Sequence, residues 1–233
     1  FNNNLSQEES LNEIKKYDIT TIYHMAARAG VRQSFLDPQS YIEDNTYATA
    51  NVSMFCKEME IPEIILASTS SIYGDSGENL MIEDKDEKIK PPSVYASTKL
   101  SGESLSKIIL EDTNTNLIIS RFFTVYGPYG RPDMSILRFI HWIMNEENVK
   151  VFGNGEQQRS FTYIQDVVDA LIRMSGLEKS YTFNVGSNIT VSLNEVIKLI
   201  EEFSGKNANI ENLERAYKDP DVVRPNLEKI NEA

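Results

Sequence analysis

Apolar runs of strand length alternate with amphipathic stretches of helix length through the first half of this chain, and no other feature narrows the fold as far. The run TIYHMA, within residues 19–27, reads as a strand. DPQSYIEDNTYATANVSMFCKEM then opens a helix with Asp37 as N-cap and Pro38 at the first helical position, where a missing N–H does no harm. EIILAST is a second strand, SVYASTKLSGESLSKIILED a helix capped by Ser93, and NLIISRFF a third strand. Strand, helix, strand, helix, strand predicts an α/β fold: a parallel sheet with crossover helices.

Beyond Gly127 the rhythm loosens. MSILRFIHWIMNEE, QDVVDALIRMS and SLNEVIKLIEEFSG read as helices, the last ending at Gly205. KVFG, SFTYI and YTFNVG read as short strands. The expected organisation is a domain over 1–127 and a smaller, intermixed lobe over 128–233, with 181–186 returning to the sheet. A net charge of −12 and a pI near 4.7 argue against sequence-independent binding to nucleic acid or an anionic membrane. A small anionic ligand held by a few arginines remains compatible with that balance. The single cysteine, Cys56, allows no internal disulfide, fits a reducing cytoplasm, and falls in a helical pattern where packing is its expected role. No apolar run approaches membrane-spanning length, and no metal site is expected.

In open parallel sheets, ligands gather at the carboxyl ends of the strands. Those ends are His24 to Ala27, Ser68 to Ser71 and Phe123 to Gly127. The second closes on three consecutive hydroxyls, Thr69, Ser70 and Ser71, in the stretch ASTSSIYG. Downstream, Tyr95 and Lys99 stand four apart on a predicted helix, so phenol and ammonium share one face. A phenol acting as a base near neutral pH needs its pKa lowered by roughly 3 units. A neighbouring ammonium and a cationic cofactor in a dry cleft could supply that shift. His24 reads as a packed strand-end residue.

HMAA, ASTSSIYG, YASTK, RFFTVYGPYGRPDM, VFGNGEQQRSFTYIQDVV and FNVGS, taken together, resemble the extended short-chain dehydrogenase/reductase family, in its nucleotide-sugar epimerase/dehydratase group. The resemblance implies a Rossmann-like sheet, NAD as cofactor and a UDP-sugar as substrate. By motif, the catalytic roles fall on Thr69, Tyr95 and Lys99. Cofactor contacts fall on Ala26, Ala27, Tyr95, Lys99, Phe122 and Val125. Substrate contacts fall on Ser70, Ser71, Thr124, Arg131, Lys150, Phe152, Arg159, Asp221 and Arg224. Arg159 would meet the diphosphate, residues 150–152 the uracil, and Asp221 and Arg224 the ribose and phosphate. Asp166 is expected to be structural, at the start of a helix. Family members dimerise through two helices, matched here by 37–59 and 93–113, with Met54, Phe55, Leu105 and Ile109 as possible contacts.

The hydroxyl row separates the subfamilies. The family's 4,6-dehydratases resemble TDEVYG at this point and its UDP-glucuronate decarboxylases TSEVYG, whereas this chain has no acid in either variable position. A 4-epimerase needs none. RFFTVYGPYGRPDM and AGVRQS are most similar to UDP-glucuronate 4-epimerases, which puts Arg131 near the sugar carboxylate. There a bidentate guanidinium would hold the charge of a β-keto acid intermediate and restrain loss of CO2. Conversion of UDP-glucuronate to UDP-galacturonate is therefore the leading expectation. A UDP-glucose or UDP-N-acetylhexosamine 4-epimerase and a non-catalytic nucleotide-sugar-binding fragment are the alternatives.

One departure is large. The family opens with a strand and a G-x-x-G-x-x-G turn that cradles the NAD pyrophosphate, and none of the 11 glycines here makes that motif. By resemblance, residues 19–27 match the family's fourth strand, so its first three strands and their helices are not in this sequence. Two readings stay open: a piece of a longer enzyme, which the intact Thr, Tyr and Lys set favours and which need not be active alone, or a remnant that no longer binds NAD.

Overall fold

The computed structural model describes residues 3–77, 79–84, 89–215 and 220–233. Part of the charged loop after Gly77 and the first two residues of KDPDVVRP lie outside the described residues. The chain forms two compact units. The first comprises 1–74, 83–122 and 169–184, and the second 75–82, 123–168 and 185–233. The first thus joins two early stretches, the second of them ending at Phe122, to a later one over 169–184.

In the first unit, β1 (Thr21–His24), β2 (Glu63–Thr69) and β3 (Asn116–Phe122) run parallel, with the register Thr21↔Glu63 and Glu63↔Asn116. The sheet order is β1-β2-β3 followed by the later strand Tyr181–Val185. Every residue of β2 is buried, as a central strand covered on both faces requires. Ile64, Leu66, Leu117 and Ile119 pack with Val52, Phe55, Cys56 and Leu110 from the helices. Full burial of each such aliphatic side chain stabilises by roughly 1.5–3 kcal/mol. Cys56 is a core residue, and burial pushes its thiol up to about 12, which makes it a poor nucleophile. Phe55 is buried in this core, so it is not a free contact surface, while Ile109 is half-buried against it.

The helix expected from Asp37 does start there, with the Asp37 carboxylate accepting from Ser40 N at 3.3 Å. It is not one regular helix. After α1 (Pro38–Tyr41), residues Ile42–Tyr47 wind as a π-helix before α2 (Ala48–Glu58). Wide turns of this kind re-aim side chains and recur at functional sites. α3 (Val94–Leu110) is capped by Ser93, whose Oγ accepts from Ala96 N at 3.1 Å. It lies close against α2, since a Cβ at Gly102 would meet Thr49 Cγ2 at 3.2 Å.

In the second unit, β4 (Thr124–Tyr126) pairs in parallel with the later strand Phe161–Tyr163. α4 (Ser135–Met144) and the later helix Leu193–Ser204 cover β5 (Asn148–Phe152) through Phe139, Ile143, Val149, Val151, Val196 and Ile197. β6 (Gln158–Arg159) and β7 (Phe161–Tyr163) follow. α5 (Ile164–Met174) carries Asp166 in its first turn, and β8 is the strand Tyr181–Val185 already met in the sheet. β9 (Val191–Ser192) runs into α6 (Leu193–Ser204), which opens on a Ser192–Glu195 capping box and stops at Gly205 in the left-handed conformation. β10 (Asn209–Leu213) pairs with β5, β11 (Val222–Val223) pairs with β6, and α7 (Glu228–Glu232) ends the chain.

Candidate active site

The hydroxyl row is built as a strand end followed by one turn of 3-10 helix. β2 stops at Thr69, and Thr69 Oγ1 accepts from Ser71 N at 3.2 Å, capping the turn Ser70–Tyr73. That bond uses one lone pair and leaves the hydroxyl proton to be donated elsewhere. Thr69 is buried, while Ser70 and Ser71 are half-buried. Gly74 closes the turn at φ 64°, where a Cβ would collide with the Lys90 carbonyl, so the position requires glycine.

Tyr95 lies in the first turn of α3, half-buried, with its ring edge-on to Tyr41 at 6.3 Å between centroids. Lys99, one turn on, is 6% exposed. Burial pulls its ammonium down to about 8, and Glu103, one turn further, opposes the fall. Among the described residues Lys99 Nζ makes no hydrogen bond and no ion pair, so a buried cation is left for an acceptor supplied from elsewhere. His24, at the end of β1, is 3% exposed and shares a 3.1 Å hydrogen bond with Thr49 Oγ1. Burial first, and then Lys99, lower its pKa to about 4, so it is neutral and structural.

The neutrality of His24 has a measurable consequence. The unfolded chain takes up a proton on this residue near pH 6.5 and the folded chain does not until about 4. Stability is therefore lost as pH falls from 6.5 to 4, by about 3 kcal/mol from this group. Urea unfolding at pH 7, 5.5 and 4 should show that slope, reduced by the same share in His24→Gln. Equal slopes in both proteins would rule it out.

Ala26 and Ala27 follow β1, exposed and without bulk, so the backbone there is open to a ligand. The loop is held by a residue that periodicity does not reveal. Asn45, in the π-helical segment, accepts from Arg28 N at 2.7 Å and donates to Arg28 O at 3.0 Å and Thr98 Oγ1 at 3.1 Å. Arg28 itself pairs with Asp44 at 2.6 Å. Phe122 ends β3, half-buried.

The second unit carries the other expected contacts. Thr124 and Val125 are half-buried on β4. Lys150 and Phe152 share the face of β5 opposite buried Val149 and Val151. Gln157, 2% exposed, donates its Nε2 to the Phe152 carbonyl and so fixes the end of that strand. Arg159 on β6 donates to the Gln158 carbonyl at 2.8 Å and weakly to the Asp221 carbonyl at 3.5 Å. Asp221 pairs with Arg215 at 2.7 Å, and a Cβ at Gly153 would meet Arg215 Nε at 2.6 Å. Arg215 thus pairs with Asp221 beside Gly153, with Arg159 reaching the Asp221 carbonyl. Arg215 sits in no recognisable motif, which is why spacing alone misses it. Arg224 is exposed, and its carbonyl accepts from Met81 N at 2.9 Å. Arg131 belongs to a different loop, 127–134, exposed and bidentate to Asp133 at 2.9 and 2.5 Å. The guanidinium holds the Asp133 carboxyl below its ordinary range, so a carboxylate ligand must share or displace that partner.

Residues 2–186 match the model of the NAD dependent epimerase/dehydratase family. A UDP-glucuronate 4-epimerase of Thermodesulfobacterium geofontis is 38% identical over 214 residues, covering 91% of this chain and 66% of that protein. A UDP-glucuronic acid 4-epimerase from Bacillus cereus, solved with UDP-glucuronic acid and NAD, is 32% identical with a TM-score of 0.86 over 99% of this chain and 72% of that one. MoeE5, solved with NAD and either UDP-glucose or UDP-glucuronic acid, is 32% identical with a TM-score of 0.89 over 98% of this chain and 75% of that one. The chain spans 66% of the length of the first curated relatives it matches.

Proposed function

The chain belongs to the NAD-dependent epimerase/dehydratase family, and from that premise we propose that it carries the chemistry of a UDP-sugar 4-epimerase acting on UDP-glucuronate. One observation carries the reading. Lys99 is a buried ammonium with no hydrogen-bonded partner of its own among the described residues, one turn from Tyr95, in the unit where β2 ends on Thr69 with no acid at 70 or 71.

Tyr95, as the phenolate that the Lys99 ammonium stabilises, takes the proton of the sugar 4-hydroxyl, holds it as the neutral phenol, and returns it. Thr69 holds the 4-oxygen through its free hydroxyl proton. The residues fit NAD: Lys99 offers its unpaired donors to the nicotinamide ribose, and Ala26, Ala27, Phe122 and Val125 offer unobstructive surface. When bound, NAD would supply a reversible hydride acceptor for C4 of the sugar. The first unit is thereby the cofactor domain and the second mainly the sugar-nucleotide lobe. In the second unit Arg159, Asp221, Arg224, Lys150 and Phe152 hold UDP and Thr124 meets the sugar; Ser70 and Ser71 are the sugar contacts of the first unit. Arg131 is the residue for the uronate carboxylate, and Asp133 keeps it oriented until substrate arrives. A homodimer through helices 37–59 and 93–113 belongs to the same reading, using the exposed Met54 and half-exposed Leu105. A cytoplasmic setting fits the lone buried Cys56.

The test is incubation with NAD and UDP-glucuronate, UDP-glucose or UDP-N-acetylglucosamine, with products identified by NMR. Preferential formation of UDP-galacturonate is expected. Turnover of the neutral sugars without preference for the uronate would favour the alternative that the UDP-glucose complex of MoeE5 suggests. Release of CO2 would indicate a decarboxylase. UDP binding with no turnover, unchanged in Tyr95→Phe, would mark a binding fragment.

A further inference from the structure

One buried carboxylate connects the two elements on which Thr69, Tyr95 and Lys99 stand. Glu103, 1% exposed, follows Lys99 by one turn on α3. Its Oε1 accepts from Arg121 Nε at 3.1 Å and its Oε2 from Arg121 Nη2 at 2.7 Å. Ser68 Oγ, on the residue just before Thr69, donates to the same carboxylate. Ser68 and Arg121 face each other in the β2–β3 register, so both ties enter from the sheet. Arg121 Nη1 goes on to Tyr73 Oη at 2.9 Å and the Glu83 carbonyl at 3.1 Å, which pins the far end of the turn that Thr69 caps.

We propose that Glu103 is a positioning residue: it locks α3 to the end of β2, so that Tyr95 and Lys99 meet Thr69 in fixed register, and it supplies the buried counter-charge to Lys99. An arginine salt bridge alone would need only Arg121. The third donor from Ser68, and the i, i+4 placement toward Lys99, give the carboxylate a task beyond pairing. This role rests on the epimerase reading for its purpose, but not for its detection.

The titratable groups around Lys99 are His24 from β1, Tyr95 and Glu103 from α3 itself, and Tyr41 edge-on to Tyr95 from α1. Beyond Glu103 come Arg121 from β3 and Tyr73 from the turn. Burial lowers His24 to about 4, leaving it uncharged at neutral pH, so Glu103 is the negative charge that supports the ammonium. Removing it lowers the pH at which Lys99 loses its proton, and the bereft Arg121 cation pushes in the same direction.

The Lys99 titration can be followed by NMR in lysine-labelled protein, with Lys99→Arg assigning the resonance. In Glu103→Gln the midpoint is expected to fall by about one pH unit or more, the usual effect of removing an adjacent opposite charge. Glu103→Asp keeps the charge but retracts it by one methylene, and should give a smaller fall in a folded protein. A Lys99 midpoint unchanged in folded Glu103→Gln would overturn the proposal, and so would an unchanged midpoint in Glu103→Asp if the Gln variant does not fold. Because the readout is an ionisation and not turnover, failure to find epimerase activity leaves this result standing, and the reverse also holds.

Discussion

On the proposed 4-epimerase reading, Tyr95→Phe is expected to lower turnover by about 10²–10⁴-fold, the usual contribution of a positioned acid–base group. The substitution removes one oxygen and leaves the ring, its half-buried setting on the first turn of α3 and its edge-on contact with Tyr41 in place. Substrate affinity should therefore change little, because the nucleotide contacts proposed for Arg159 and its neighbours in the second unit are untouched. The loss should appear in kcat, with KM nearly constant, as expected when an interaction made only in the transition state is deleted. Loss of affinity with kcat preserved would instead assign Tyr95 to binding. The pH profile provides a second check. Burial sets Lys99 near 8, so the wild-type activity should decline above that pH as the ammonium that stabilises the phenolate is lost.

Arg121→Met is the largest expected change in stability. Arg121 is 1% exposed, bidentate to Glu103, and also hydrogen-bonded to Tyr73 and the Glu83 carbonyl. Its burial works against its charge, but Glu103 and Tyr73 more than offset that, and its pKa rises above the ordinary arginine range. Removing it leaves the Glu103 carboxylate dehydrated with only Ser68 as a donor. Stranding one partner of such a pair costs about 3–5 kcal/mol, a fall in melting temperature on the order of 10 °C in a chain of this length. Arg121→Met combined with Glu103→Leu should regain much of that loss, since apolar replacements of a buried pair are often neutral or better. If the double variant is as unstable as the single one, the penalty comes from packing and not from the stranded charge.

Much of the first unit could be read from the sequence because short apolar runs and helix caps are local signals. Asp37, Pro38, Ser93 and Gly205 each act where their side chain or backbone meets its own helix, and each stands where its chemistry suggests. ASTSSIYG and YASTK point to Thr69, Tyr95 and Lys99 through two separate local runs, one strand end and one helix turn. What stayed hidden depends on distant segments. The π-helical turn at Ile42–Tyr47 leaves no mark in periodicity, and Asn45 shows its use only once Arg28 and Thr98 are beside it. Glu103 looks like a solvated helix residue until Arg121 arrives from β3. Arg215 and Gln157 sit in no motif and gain meaning only from Asp221 and Phe152.

The chain of bonds through Arg121 also acts as a clasp across sequence distance. Ser68 and Glu103 are 35 residues apart, Arg121 and Tyr73 are 48, Glu83 and Asn184 are 101, and Tyr73 and Asn184 are 111. Each tie closes a loop, and closing long loops is entropically unfavourable until other contacts have gathered the ends. The network therefore cannot form piecemeal from local structure; it requires β8 to have docked beside β3. The Asn184 amide, bonded to Glu83 Oε1 at 2.8 Å inside this clasp, is therefore expected to be among the slowest to exchange its hydrogen. A single backbone proton would then report on the assembly of four strands.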